Sequence, residues 1–268
     1  MATPTLLAAF GDLHANGTTA PCAPRVRLHD GGVYEASELQ TWLREDAWEA
    51  GWRMVKALKK KHAADLWVLS NGDAVDGPNH HGTVQSVAGT LESQNYILEE
   101  LCKPFLALSP SRIYVTRGTQ SHVGDHEERM GRWLQAVKNP QSGNWSSHVW
   151  RFECNGHLVD ARHHGRIGMR PWTELGGLGN LSAHIGLANL RAGWRVPRLA
   201  IRSHRHIYGD TGSHSTPRVI ALPPLQAKTD YAEMRAPEDV PTFGLIAVLF
   251  RVGQPEEVHP HLLRPSEP

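Results

Sequence analysis

Five short apolar runs in this chain each stop at a polar, histidine-bearing cluster rather than at a simple turn. TLLAAF leads into GDLHANG, DLWVLS into NGDAVDGPNHHG, RIYVT into RGTQSHVGDH, HLVDA into RHHG, and RLAIR into SHRH. Apolar runs of this length, bounded by Gly and Asp, read as buried strands. In a mostly parallel sheet, the polar residues just past the strand C-termini converge on one crevice. The pattern therefore dictates a sheet-centred α/β fold with its chemistry gathered along one edge.

Between the runs lie helical stretches. From Ser37 to about His62, Leu39, Trp42, Leu43, Trp48, Trp52, Val55 and Leu58 recur at intervals of roughly 3–4 residues, with charged residues between them. Ser37 is placed to cap this helix. The tryptophans at 42, 48 and 52 read as packing residues. Further helices are predicted over about Val84–Leu106 and Glu127–Val137. The first half is thus strand–helix–strand–helix–strand, the pattern of βαβ units. The later half has strand-like segments with less helix between them: HVWRFECNGHLVDARHHG, PRVIALPPL and TFGLIAVLFRV. Residues 166–198 are Gly-rich and basic, and predict a loop plus a short helix. The proline-rich tail from about Gln254 predicts irregular chain. No linker or repeat divides the 268 residues, which read as one domain with an insertion and helix over 15–60.

Charge narrows the functional classes. The 28 basic and 27 acidic residues nearly cancel, so no whole-molecule field draws the chain to nucleic acid or to a membrane. Cys22, Cys102 and Cys154 lack the spacing of a disulfide framework or a zinc ribbon. With no basic leader and no membrane-length apolar run, the expectation is a soluble, cytoplasmic protein.

The 17 histidines carry more information. His204 and His206 flank one residue, and on extended backbone such a pair points to one side. The strand-end clusters collect Asp12, His14, Asn71, Asp73, Asp76, His122, His163, His164, His204 and His206, with no obvious hydroxyl or thiol nucleophile among them. Mixed oxygen and nitrogen donors suit Mn²⁺, Fe²⁺ and Zn²⁺. Five strand ends offer more ligands than one ion needs, whereas two ions sharing a carboxylate would use them all. Paired ions roughly 3.5–4 Å apart acidify a bridging water and clamp the attacking and leaving oxygens.

Asp-Leu-His at 12–14, Asn-Gly-Asp-Ala-Val-Asp-Gly at 71–77, Arg-Gly-Thr at 117–119, His-His-Gly at 163–165 and His-Arg-His at 204–206 stand in an order that resembles the calcineurin-like metallophosphoesterases, most of all the versions encoded by bacteriophages and prophages. The resemblance runs from about Thr5 to Tyr208. It implies a four-layer α/β/β/α sandwich with two mixed β-sheets. It also implies a dinuclear phosphohydrolase in which a metal-bridging hydroxide attacks phosphorus. Asp12, His14 and His206 would hold the first ion and Asp73 would bridge both. His204 would hold the second, with either His163 or His164, the other of the doublet standing behind. Asp76 would support the bridging region as a catalytic-site residue. Two divalent ions are implied, Mn²⁺ foremost, with Fe, Zn or Ni as alternatives.

The chain also departs from that pattern. Thr119, a poorer ligand, falls where the family has a metal-binding Asn, so Gln120 or His122 is a candidate to compensate, and Thr119, Gln120 and Asn71 are candidates to bind or support the ions. His122 is also the candidate general acid. Ser203 replaces the Gly before the final His-x-His, and the long gap between Asp12 and Asp73 holds an insertion that could cover the site. His80 and His81 read as loop residues. Arg117, Arg166, Arg191 and Arg195 are candidates to meet a phosphoester substrate. Trp172 and Trp194, near Arg170, Arg191, Arg195 and Arg198, have the composition of a base-stacking surface. The expectation is a phosphodiesterase or nuclease acting on DNA, RNA or nucleotides. A phosphomonoesterase of the same fold, or a non-catalytic metal- or nucleic-acid-binding module, is the alternative. No membrane partner is expected.

Overall fold

A computed structural model describes residues 2–77, 85–120, 124–165, 174–235, 237 and 239–265. In chain order its elements are β1 (Thr5–Phe10), β2 (Arg25–Arg27), β3 (Val33–Glu35), α1 (Glu38–Trp42), a π-helical segment (Leu43–Glu49), α2 (Ala50–His62), β4 (Asp65–Asn71), α3 (Leu91–Leu106), β5 (Arg112–Thr116), α4 (His126–Trp133), β6 (Trp150–Cys154), β7 (His157–Ala161), α5 (Glu174–Arg191), β8 (Leu199–Arg202), β9 (Gly209–Asp210), β10 (Arg218–Ala221), α6 (Asp230–Arg235), β11 (Phe243–Phe250) and β12 (Glu257–Leu263).

Two five-stranded sheets form the centre, in orders β12-β11-β1-β4-β5 and β6-β7-β8-β10-β9. Both are mixed. β1, β4 and β5 run parallel while β11 runs antiparallel to β1, and β7, β8 and β10 run parallel while β6 and β9 run antiparallel to their neighbours. Alternation of side chains along each strand produces the layers. Leu6, Ala8 and Phe10 of β1 pack under the helices with Leu43, Trp48, Trp52, Ile97 and Phe105. Leu7 and Ala9 face the other way, into a core shared with Phe152, Val159, Leu199 and Ile220 of the second sheet. Tyr114 stacks on Phe152 across that core, centroids 4.2 Å apart. Leu178, Leu181 and Ile185 of α5 cover the far face of the second sheet. The result is the helix, sheet, sheet, helix sandwich. Burying one side chain as large as Trp48, which meets Phe10 edge-on at 4.9 Å, contributes about 1.5–3 kcal/mol.

The first predicted helix is present as α1, the π segment and α2 in succession. Ser37 caps it reciprocally with Gln40, and Ala63 ends it in a left-handed conformation. Four boundaries differ from the sequence-based expectation. α3 starts at Leu91 with Thr90 as its cap, because residues 85–88 instead lie alongside Thr18 and Asn16. α4 stops at Trp133, ahead of a left-handed Gln135. Within 166–198 the helix is not short: α5 has 18 residues, held by its three buried aliphatics despite its glycines. The tail is not irregular either. β12 pairs along β11, whose eight residues are all buried, and Pro260 is tolerated because β12 is an edge strand. The insertion folds against the N-terminus of α3, where His29 meets Ser93 and Thr90. Among the described residues no helix is long and apolar enough to cross a membrane.

Candidate metal centre

β1, β4 and β5 each run out into a glycine followed by a polar residue: Gly11-Asp12, Gly72-Asp73 and Gly118-Thr119. Parallel pairing sets these ends side by side. It continues past the strands, with Asp12 N–H donating to the Gly72 carbonyl at 3.0 Å and His14 N–H to that of Asp73 at 2.9 Å. The glycines at two of these ends are required by contact. A Cβ at Gly118 would collide with Asp73, and one at Gly72, which is also left-handed, would enter the His163 ring. Asp12, His14, Asp73, His204 and His206 all adopt φ between 45° and 73°. Each such residue costs about 1–2 kcal/mol relative to an ordinary conformation. That five of them meet at one place marks a site whose surroundings hold it against strain.

The ligand atoms converge in three overlapping groups: Asp12, His14 and His206; Asp12, Asp73 and His163; and His163, His164 and His204, each within 4.8 Å. His163 Nε2 lies 3.1 Å from Asp73 Oδ2 and 3.9 Å from Asp12 Oδ1, and His206 Nε2 lies 3.5 Å from Asp12 Oδ1. Donors bound to one ion at about 2.0–2.2 Å stand roughly 3–4 Å apart, so these spacings fit divalent metal ions. The donor set, imidazoles with two carboxylates, fits the same ions.

Hydrogen bonds behind the ligands aim them. His163 Nδ1 meets the Asn71 carbonyl at 2.8 Å, which leaves Nε2 for the centre. His14 Nδ1 meets Asp76 Oδ1 at 3.2 Å, and Gln226 Nε2 donates to that same oxygen at 3.2 Å. Asp73 Oδ1 accepts the Thr119 N–H at 2.6 Å, and both Asp12 oxygens accept the His204 N–H, at 3.0 and 3.2 Å. Burial, helped by Asp73 and opposed by His163, pushes Asp12 up to about 6. Burial alone would lower His163, but Asp73 and Asp12 overcome it and hold the imidazole at about 9. Burial, with His163 beside it, brings His204 down to about 4, and burial with His14 alongside holds His206 well below the usual imidazole range.

Several assigned residues take different places from those expected. Asp76 stands behind His14, 3.2 Å from its Nδ1, and so acts as a positioning residue. Asn71 ties the two sheets, donating to the Arg162 carbonyl at 3.0 Å and to Ser203 Oγ at 2.8 Å, which gives the Gly-to-Ser change at 203 a function. Thr119 does stand at the centre, its Oγ1 3.2 Å from His204 Nδ1 and 3.4 Å from His164 Nε2. His163 and His164 both belong to the His204 group, although only one was expected to. Gln120 is exposed, its carbonyl taken by the Gly124 N–H. His122, Arg166, Arg170, Trp172, His80 and His81 lie outside the described residues. Arg117 is engaged by Ser146 and Glu128. Arg195 pairs with Glu153 and Arg198 with Glu256, at the start of β8 and so at the opposite end from the ligands. Arg191 is exposed at the end of α5.

Sequence reasoning missed Glu127. It is buried at the start of α4, accepting the Gly118 N–H at 2.6 Å and the Ala74 N–H at 3.4 Å. Burial, with Asp73 nearby, pushes it up to about 8. It joins the two loops that carry Thr119 and Asp73. Its acidic neighbours in the sequence hide it, and nothing local distinguishes it from an ordinary first-turn carboxylate.

No protein-family profile matches the chain, and no curated protein does. Solved structures of similar layout include a dimetal phosphatase from Danio rerio, 9% identical over 97% of this chain and 96% of that one with a TM-score of 0.47. Vacuolar protein sorting 29 from Cryptosporidium parvum is 12% identical over 98% and 100%, with a TM-score of 0.41. A novel archaeal phosphodiesterase is 10% identical over 97% and 100%, with a TM-score of 0.39. At these values the likeness says nothing of activity.

Proposed function

We propose that this chain is a dinuclear metal-dependent phosphohydrolase acting on phosphodiesters of the nucleotide class, nucleic acid included. One observation carries the reading: Asp73 Oδ2 lies between His14 Nε2 at 3.9 Å and His163 Nε2 at 3.1 Å. A carboxylate so placed, with its other oxygen held by the Thr119 amide, is oriented to serve two positions at once. Two divalent ions there would supply Lewis acidity toward the phosphate oxygens and toward a water. Asp12, His14 and His206 would hold the first, and His163 and His204 the second. The amides of Thr119 and His204 would fix the two carboxylates so that little reorganisation accompanies charge development.

A diester is favoured over a monoester by charge. Among the described residues, three arginines near the ligand clusters are paired with carboxylates, Arg117 with Glu128 and Arg162 and Arg202 with Asp160, which leaves fewer guanidinium groups for a doubly charged ester. A singly charged diester needs no further guanidinium, whereas a doubly charged monoester calls for one. The test is hydrolysis of bis(p-nitrophenyl) phosphate against p-nitrophenyl phosphate, after chelation and after adding Mn²⁺ or Zn²⁺. Metal-dependent turnover of the diester in excess is expected. Two bound ions with no turnover of either ester would defeat the reading. A short oligonucleotide then tests the substrate class, and its affinity should fall as salt rises.

A further inference from the structure

We propose that His164 completes the second metal position in place of an asparagine, so that three imidazoles and Asp73 hold this ion and select zinc over manganese. This rests on the dinuclear reading above. His163, His164 and His204 place one ring nitrogen each within a single 4.8 Å group. Their rings crowd together, with centroids 4.3 Å apart for His164 and His204 and 4.7 Å for His163 and His164.

Two of the nitrogens also converge on one point. His164 Nε2 and His204 Nδ1 both lie within hydrogen-bond distance of Thr119 Oγ1, at 3.4 and 3.2 Å. Two imidazole nitrogens that reach one point are placed as a shared cation needs them. His163 supplies the third lone pair. Its Nδ1 proton is given to the Asn71 carbonyl, and its buried Nε2 faces the Asp73 carboxylate at 3.1 Å. A lone pair against a carboxylate is repulsive unless a proton or a metal lies between them. Thr119 has taken the amide's place without being a good ligand, and His164 stands beside it with a better one.

Donor type then sets the preference. Imidazole nitrogen suits zinc, copper, iron and nickel, while carboxylate and carbonyl oxygen suit manganese and magnesium. Exchanging an amide oxygen for a nitrogen moves the second position toward zinc and leaves the first, with two carboxylates and two imidazoles, more even-handed. His164 is exposed, so its replacement leaves the core intact.

The experiment compares wild type with His164→Ala and His164→Asn, each stripped of metal and dialysed against equal Zn²⁺ and Mn²⁺. Metal content is counted, and Co²⁺ absorption is recorded as a probe of nitrogen ligation. Wild type should hold two ions, with Zn²⁺ in clear excess. His164→Asn should keep two ions but lose at least ten-fold in Zn²⁺/Mn²⁺ preference, with weaker Co²⁺ bands. His164→Ala should lose the second ion. Unchanged stoichiometry and preference in both variants would overturn this proposal and leave the phosphohydrolase reading standing. A wild type that binds no ion would overturn both.

Discussion

His14 Nδ1 lies 3.2 Å from Asp76 Oδ1, with both side chains buried, so Asp76 stands directly behind a ligand of the metal centre. The carboxylate fixes the His14 tautomer and turns Nε2 toward Asp73. Asp76→Ala should weaken the first metal position about 10–100-fold, while Asp76→Asn, which keeps an acceptor oxygen, should cost less. Calorimetric metal titration of the two variants checks the order. Equal losses in both would leave the hydrogen bond without a role in positioning.

Asp73 is different in kind, because it faces ligands of both positions. Asp73→Asn removes a charge that offsets two dications but keeps an oxygen for the Thr119 amide. Both ions should weaken together, and turnover should fall by more than the roughly 10–100-fold cost of losing an outer partner. Metal counting beside a diesterase assay measures it. Loss of one ion alone would contradict a bridging role.

Gly118 tests the backbone. A methyl group there would strike the Asp73 carboxylate and its amide nitrogen. The backbone must then shift, at a typical overpacking cost of about 1–3 kcal/mol. Gly118→Ala should lower denaturant stability by that order and release metal. A stable, fully loaded variant would mean that the β5 and β4 loops are looser than their contacts imply.

Asp160 gives a pH dependence. Burial would raise its carboxyl, but Arg202, at 2.7 Å, and Arg162 overcome this and hold it below the usual carboxylate range. Its charge therefore contributes stability that is fully present above the unfolded value of about 4 and is lost as the pH falls through the folded value. Asp160→Asn strands a buried guanidinium and should cost about 3–5 kcal/mol at neutral pH. The gap from wild type should narrow progressively below about pH 4. Urea titrations across that range should reveal the narrowing, and a pH-independent gap would argue against the charge.

Strand ends are local events, and the sequence by itself determined them. An apolar run such as TLLAAF, followed by Gly and Asp, must be a buried strand that stops where its polar residues begin. Asp12, Asp73, His163 and His204 are therefore legible as neighbours once the strands are taken as parallel. What depends on a distant partner is not legible. Glu257–Leu263 has no strong strand pattern and becomes β12 only because β11 offers a free edge. Arg195 and Arg198, basic and close in sequence to the His204 block, lie at the opposite end of β8, paired with Glu153 and Glu256. Glu127 acquires its environment only when α4 docks beside the loops of β4 and β5. The doublet shows the limit most plainly. The resemblance implied that one of His163 and His164 would bind and the other would stand behind. The chain leaves β7 just before them. Only the packing of the second sheet against the first, pinned by Asn71 to Ser203 and to the Arg162 carbonyl, decides that both rings turn toward His204.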